Sequence, residues 1–103
     1  MTGFPDLSTH AAIVRVTGKL RAPETRRLGQ IVASLIGKGE RRVLLDLAEL
    51  REVDAAGVGE LIRVFKAMRA AGGVLRIAHA NRHVRRLLRI AGVYSLLTSG
   101  AET

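Results

Sequence analysis

A chain of 103 residues, 48 % of them hydrophobic, with one Tyr, two Phe and no Trp, has room for one domain around an aliphatic core. The absence of Cys excludes disulfides, thiol catalysis and cysteine zinc sites, and so few aromatics leave almost no platform for stacking single-stranded bases. Seventeen Lys/Arg against nine Asp/Glu give a net charge of +8, which attracts nucleic acid, anionic lipid or an acidic protein partner without choosing among them.

The basic excess is spread along the chain, with 8 Lys/Arg against 5 Asp/Glu in residues 1–50 and 9 against 4 in residues 51–103. No apolar run approaches the ~20 residues of a membrane span. Met1 to His10 lacks the basic-then-apolar pattern of a signal peptide. The expectation is a single cytoplasmic domain over residues 1–103.

In chain order, Pro5 and the polar residues around it argue against a central strand, though Phe4 and Leu7 suit a short edge strand. Ala11 to Thr17 alternates and predicts a strand ended by Gly18-Lys19-Leu20. Pro23 suits the first position of a helix and Glu24 its first turn. Leu28, Ile31, Val32, Leu35 and Ile36 then form an apolar stripe that Gly37 or Gly39 ends. Val43-Leu44-Leu45-Asp46-Leu47 reads as a buried strand.

Val53-Asp54-Ala55-Ala56-Gly57 is a strand-to-helix turn, with Asp54 placed to cap the helix. Val58, Leu61, Ile62, Phe65 and Met68 make the core stripe of that helix, and Val64 falls off it. Gly72-Gly73 stops the helix and Val74 to Ala78 returns as a strand, parallel to the first across a right-handed crossover. Asn81 caps a third helix whose core side is Val84, Leu87, Leu88 and Ala91 and whose other face is Arg82, Arg85, Arg86 and Arg89. Gly92 ends it, Tyr94 to Thr98 suits a last short strand, and Ser99 to Thr103 a frayed tail. The sum is an α/β fold, helices packed on a mixed sheet of four or five strands.

Taken together, Val16-Thr17-Gly18-Lys19-Leu20, Val43 to Leu47, Val53-Asp54-Ala55-Ala56-Gly57-Val58-Gly59, Gly72-Gly73, and Val84-Arg85-Arg86-Leu87-Leu88 with Ala91-Gly92-Val93 resemble the STAS domains, most closely the stand-alone bacterial anti-sigma factor antagonists. The resemblance covers a core of about residues 11–97. It implies a STAS-like fold and a binding switch: docking on an anti-sigma factor, usually an ATP-binding Ser/Thr kinase, to release a sigma factor. It also implies a phosphorylatable serine directly after the aspartate of the turn. That position is Ala55, followed by Ala56, and no Ser or Thr occurs between Ser34 and Ser95. The resemblance therefore implies docking without a phosphorylation switch in the turn. Family members usually continue into another helix, which a chain ending at Thr103 is expected to lack, leaving Leu96 and Leu97 partly exposed.

The expected partner surface is Asp54, Ala55, Ala56, Gly57, Val58 and Gly59 in the turn, continued by Glu60, Arg63, Val64 and Ala67 on the helix. Val64 draws attention as an apolar residue on a polar face. Asp54 serves as cap, as contact, or as both. Gly57 and Gly59 serve a flat docking surface or close packing of helix on sheet. The turn lacks the glycine spacing of dinucleotide and phosphate loops. His79 and His83 have no third ligand nearby, and no catalytic constellation is present, so the reading is a binding protein with no enzyme activity, metal or cofactor, monomeric or weakly dimeric. The alternatives are a STAS-type scaffold subunit of a lipid-transport or stress-signalling complex, and a small basic nucleic-acid-binding protein reading through the arginine face.

Overall fold

The protein is described by a computed structural model over residues 11–99. The elements run β1 (Ala12–Arg15), β2 (Gly18–Leu20), α1 (Arg26–Gly37), β3 (Arg42–Asp46), β4 (Leu50–Val53), α2 (Ala55–Ala70), β5 (Val74–Ala78), α3 (Arg82–Ile90) and α4 (Tyr94–Ser99). The expected edge strand at Phe4 and Leu7 lies outside the described residues.

Strands β1, β3 and β5 form one sheet in that order, and β2 and β4 form a second. Every pairing among the described residues is parallel, so the expected mixed sheet is not what these strands build. β3 and β5 are parallel neighbours joined through α2, as the strand–helix–strand reading requires. The two sheets are continuous in the chain. β1 runs on into β2, and β3 into β4. At the bend the Val16 amide donates to the Asp46 carbonyl at 3.0 Å and the Gly18 amide to the Glu49 carbonyl at 2.8 Å. Gly18 takes φ +74° there, a conformation only glycine reaches cheaply. Gly18-Lys19-Leu20 thus opens a new strand instead of ending one.

Three further expectations change. The first helix starts at Arg26, with residues 22–25 in turns, so Pro23 is not its first residue; the Ala22–Pro23 peptide is cis. Leu50–Val53 is a strand, on a stretch to which the sequence pattern assigned no strand. Tyr94–Ser99 is a helix in place of a last strand, and it occupies the place where no further helix was expected. Within it Leu97 is only 1 % exposed. The reason is spacing: Val93 and Leu97 are four apart and share a helical face, and the Leu97 amide donates to the Val93 carbonyl at 3.1 Å.

Aliphatic side chains build the core. Leu45, Leu47, Leu50, Leu61, Met68, Leu75, Val84 and Leu88 are fully buried. In β3 and β5 one set of alternating residues is buried and the other half-buried, the pattern of parallel strands with cover on both faces. Helix α2 packs on both β5 and α1. Asn81 caps α3, accepting the Val84 amide at 2.8 Å, and its own amide donates to the Leu50 carbonyl at 2.9 Å, tying α3 to the start of β4.

Candidate functional site

The turn into α2 is built from β4 upward. Val53 is buried as the last residue of β4, and the next residue leaves the sheet. Asp54 has extended backbone, and its Oδ1 accepts the Gly57 amide at 2.8 Å. This satisfies one of the donors that a helix start leaves open. The carboxylate's other oxygen faces the Ala22 amide at 3.4 Å, linking the turn to the chain just past β2. Sequence reasoning found the cap but not this tether, because nothing in Ala22 signals it.

Gly57 and Gly59 separate cleanly. A Cβ on Gly57 would overlap the Leu20 carbonyl oxygen and a Val53 methyl. This glycine lets the first turn of α2 sit directly on β2. Gly59 is exposed, with open space where its Cβ would be. The packing role thus belongs to Gly57, and Gly59 leaves the surface low.

Of the residues expected on the partner surface, Asp54, Ala55, Ala56, Gly59, Arg63 and Ala67 are exposed. Gly57, Val58, Glu60 and Val64 are buried. Val64 is 2 % exposed and belongs to the core, so it is not an apolar residue on a polar face. Ile62, assigned to the core stripe, is only half-buried. The cause is that α2 has two neighbours. Both the sheet and α1 pack on α2, its buried residues run from Val58, Leu61, Phe65 and Met68 round to Glu60 and Val64, and Glu60 meets Gly29 of α1. A stripe drawn for one neighbour is too narrow and lies off centre.

That edge holds a feature the sequence concealed. Glu60 is 6 % exposed, and both its oxygens accept from Arg63: Nε to Oε1 at 3.0 Å and Nη2 to Oε2 at 3.0 Å. Such a fork-to-carboxylate pair is stronger than a single contact. The hydrogen bonding to Glu60, and then its charge, hold the Arg63 guanidinium further above its already high ordinary pKa. Gly29 of α1 lies opposite, and a Cβ there would overlap Glu60 Oε2 and Arg63 Nη2. The available signal for Gly29 was a glycine inside a helical run, which costs stability unless packing requires it. Glu60 is the sole carboxylate of α2; Arg63, Lys66 and Arg69 are all exposed. The outer face of α2 is therefore positive, with alanine and glycine between its cations.

A second polar cluster lies at the ends of β3 and β5. Asp46 Oδ1 accepts the Ala48 amide at 3.0 Å and faces His79 Nδ1 at 3.2 Å. The Ala48 hydrogen bond, then His79, lower the Asp46 pKa. On α3, Arg82, Arg86 and Arg89 are exposed, while Arg85 is half-buried and donates to the Ala80 carbonyl at 2.9 Å. Arg89 stacks over the Tyr94 ring at 4.8 Å. The arginine face is therefore partly spent on holding α3 and α4. A shallow groove of about 330 Å³ opens between the β1–β2 bend and α1, lined by residues including Val14, Lys19, Arg27 and Ile31. Among the described residues no cluster of three or more His, Asp or Glu could hold a metal, and no helix is long and apolar enough to cross a membrane.

Comparison with known proteins adds the following. A family model described as "Mlab, STAS domain" matches residues 4–98. The chain is 32 % identical over 84 residues to a protein of Bordetella bronchiseptica named "Putative anti-sigma factor antagonist BtrV", covering 82 % of this chain and 72 % of that one. Its fold is similar to that in a structure of the anti-sigma factor antagonist SpoIIAA in its unphosphorylated form, with TM-score 0.65, 16 % identity, and coverage of 79 % of this chain and 74 % of that one. With its α/β fold of parallel strands and its match along nearly the whole length, this chain belongs to the STAS family and is a STAS domain of the anti-sigma factor antagonist kind.

Proposed function

We propose that this protein regulates transcription by docking on an anti-sigma factor, an ATP-binding Ser/Thr kinase, and so releasing a sigma factor. Docking uses the turn at Asp54, Ala55 and Ala56 and the outer face of α2 at Gly59, Arg63 and Ala67. The protein acts by binding and catalyses nothing. Phosphorylation does not switch it in this turn, because Ala55 stands where the family resemblance expects a serine.

The carrying observation is that Ala55 and Ala56 are exposed on the first turn of a helix whose start is already capped by Asp54. A hydroxyl at residue 55 would face solvent, and a phosphate on it would add about −1.5 to −2 charge at a partner surface. The alanine methyls leave that surface uncharged.

The test is an affinity capture from extract of the source organism, with nuclease treatment and rising salt, followed by purification of the recovered anti-sigma factor. Wild-type protein should bind it and take up no phosphate from kinase and ATP. Ala55→Ser should acquire phosphate, and Ala55→Glu should bind at least ~10-fold more weakly with unchanged folding. A phosphopeptide from residues 54–60 of the wild type would overturn the unswitched reading. Recovery of transporter subunits, or of nucleic acid alone, would overturn the docking reading.

A further inference from the structure

We infer that Arg63 is a pre-oriented guanidinium on the docking face that receives a carboxylate of the protein partner, with Glu60 as its positioning residue and Gly29 as the space that admits the pair. This rests on the docking reading above and names the chemistry of the contact.

The starting point is the burial of Glu60. A carboxylate removed from water is costly, and an apolar side chain of similar size in its place is commonly as stable or more so. Val64, one turn further along the same edge, is apolar and buried. The edge therefore does not demand a charge for packing. What Glu60 does is grip Arg63 through two parallel hydrogen bonds. α1 accommodates this by carrying a glycine at residue 29.

Arg63 is nevertheless 67 % exposed along its side chain. Glu60 engages Nε–H and one N–H of Nη2, so both N–H groups of Nη1 and the second of Nη2 remain for a ligand. Around Arg63, Ala56, Gly59 and Ala67 are exposed and short, and Lys66, three residues on, is the one long exposed neighbour. No carboxylate other than Glu60 lies on α2 to compete for the guanidinium. The two hydrogen bonds to Glu60 restrain its rotamer in the free protein, so docking has less side-chain freedom to remove.

Charge and shape choose the ligand. The exposed ionised side chains of α2 are Arg63, Lys66 and Arg69, and no exposed carboxylate lies among them. A planar fork matches a carboxylate. A nucleic acid would draw on Arg63, Lys66 and Arg69 alike through phosphate contacts, whereas the pairing with Glu60 singles out Arg63 and short Ala56, Gly59 and Ala67 flank it, which favours a protein carboxylate.

The first measurement needs no partner. The Arg63 Nε–H resonance in the free protein should be sharp and slow to exchange, and Glu60→Gln should broaden it. An averaged Arg63 signal in the wild type would overturn the inference. The second uses the anti-sigma factor recovered above. Arg63→Lys should bind about 10-fold and Arg63→Glu about 100-fold more weakly, with unchanged melting temperature for Arg63→Lys, while Arg82→Glu on α3 stays within ~2-fold. A partner Asp or Glu changed to Lys should rescue Arg63→Glu. Equal losses for Arg63→Glu and Arg82→Glu, or transfer of the Arg63 response to a duplex DNA oligonucleotide, would overturn the inference. Wild-type affinity in Arg63→Glu would overturn it while leaving the docking reading intact. Failure to recover any anti-sigma factor would overturn both.

Discussion

At the scale of single residues, the two glycines of the α2 entrance have opposite consequences. Gly57→Ala drives a methyl into the Leu20 carbonyl and Val53. The backbone oxygen cannot rotate away, so a loss of about 1–3 kcal/mol is expected from overpacking. Gly59→Ala meets open space inside a helix and should gain about 0.5–1 kcal/mol. Urea unfolding of both variants checks the pair; equal effects would contradict the geometry.

Asp46 gives a pH dependence with a definite sign. Its folded pKa lies below its ordinary 3.8, so its carboxylate contributes stability above that value. The contribution fades as pH falls below about 3.8 and is gone once pH passes the lowered native value. Asp46→Asn keeps an acceptor for the Ala48 amide but removes the charge. The variant should be less stable than wild type at pH 6 and converge with it in strong acid, read from denaturant midpoints across pH.

At the scale of elements, α2 carries the reading of function, and its orientation decides which variants report on docking. Val64→Glu would place a carboxylate in the core. A cost on the order of 4 kcal/mol is expected, so loss of binding in that variant reports unfolding. Ala67→Glu, on the exposed arc, should leave circular dichroism and the melting temperature unchanged and weaken docking through charge on an otherwise positive face. The hydrophobic period of α2 was legible in the sequence, and so was its cap. The width of the buried arc was not, because a helix with two neighbours buries more of its circumference than one stripe describes.

At the scale of the whole molecule, the last turn of chain closes the core. Leu97 is buried to 1 %, and α4 packs on β5 and α3. Leu97→Ala should therefore cost about 2–5 kcal/mol, measured by thermal or urea unfolding. A surface substitution would stay within about 0.5 kcal/mol, so a small effect would mean that the C-terminal turn is not part of the core. The basic excess, by contrast, is distributed over several elements. Arg85 and Arg89 serve α3 and α4 internally. Net charge alone thus overstated how many cations are free for a partner.

By itself the sequence determined the class of fold, the order of most elements, the parallel β3–α2–β5 unit and both helix caps at Asp54 and Asn81. These follow from local periodicity and from side chains that act within four residues of their own backbone. It also located the turn at Asp54, Ala55 and Ala56 and the alanine at its second position. Only the tertiary structure decided that the β1–β2 and β3–β4 stretches bend into two sheets, that Tyr94–Ser99 is helical with Leu97 buried, and that Val64 faces inward. It alone brought Gly29 against Glu60 and Arg63. Apart from the helix at Tyr94, whose Leu97 amide bonds the Val93 carbonyl locally, these depend on which surfaces meet across more than a dozen residues of chain, and a pattern with period 2 or 3.6 carries no record of the second neighbour.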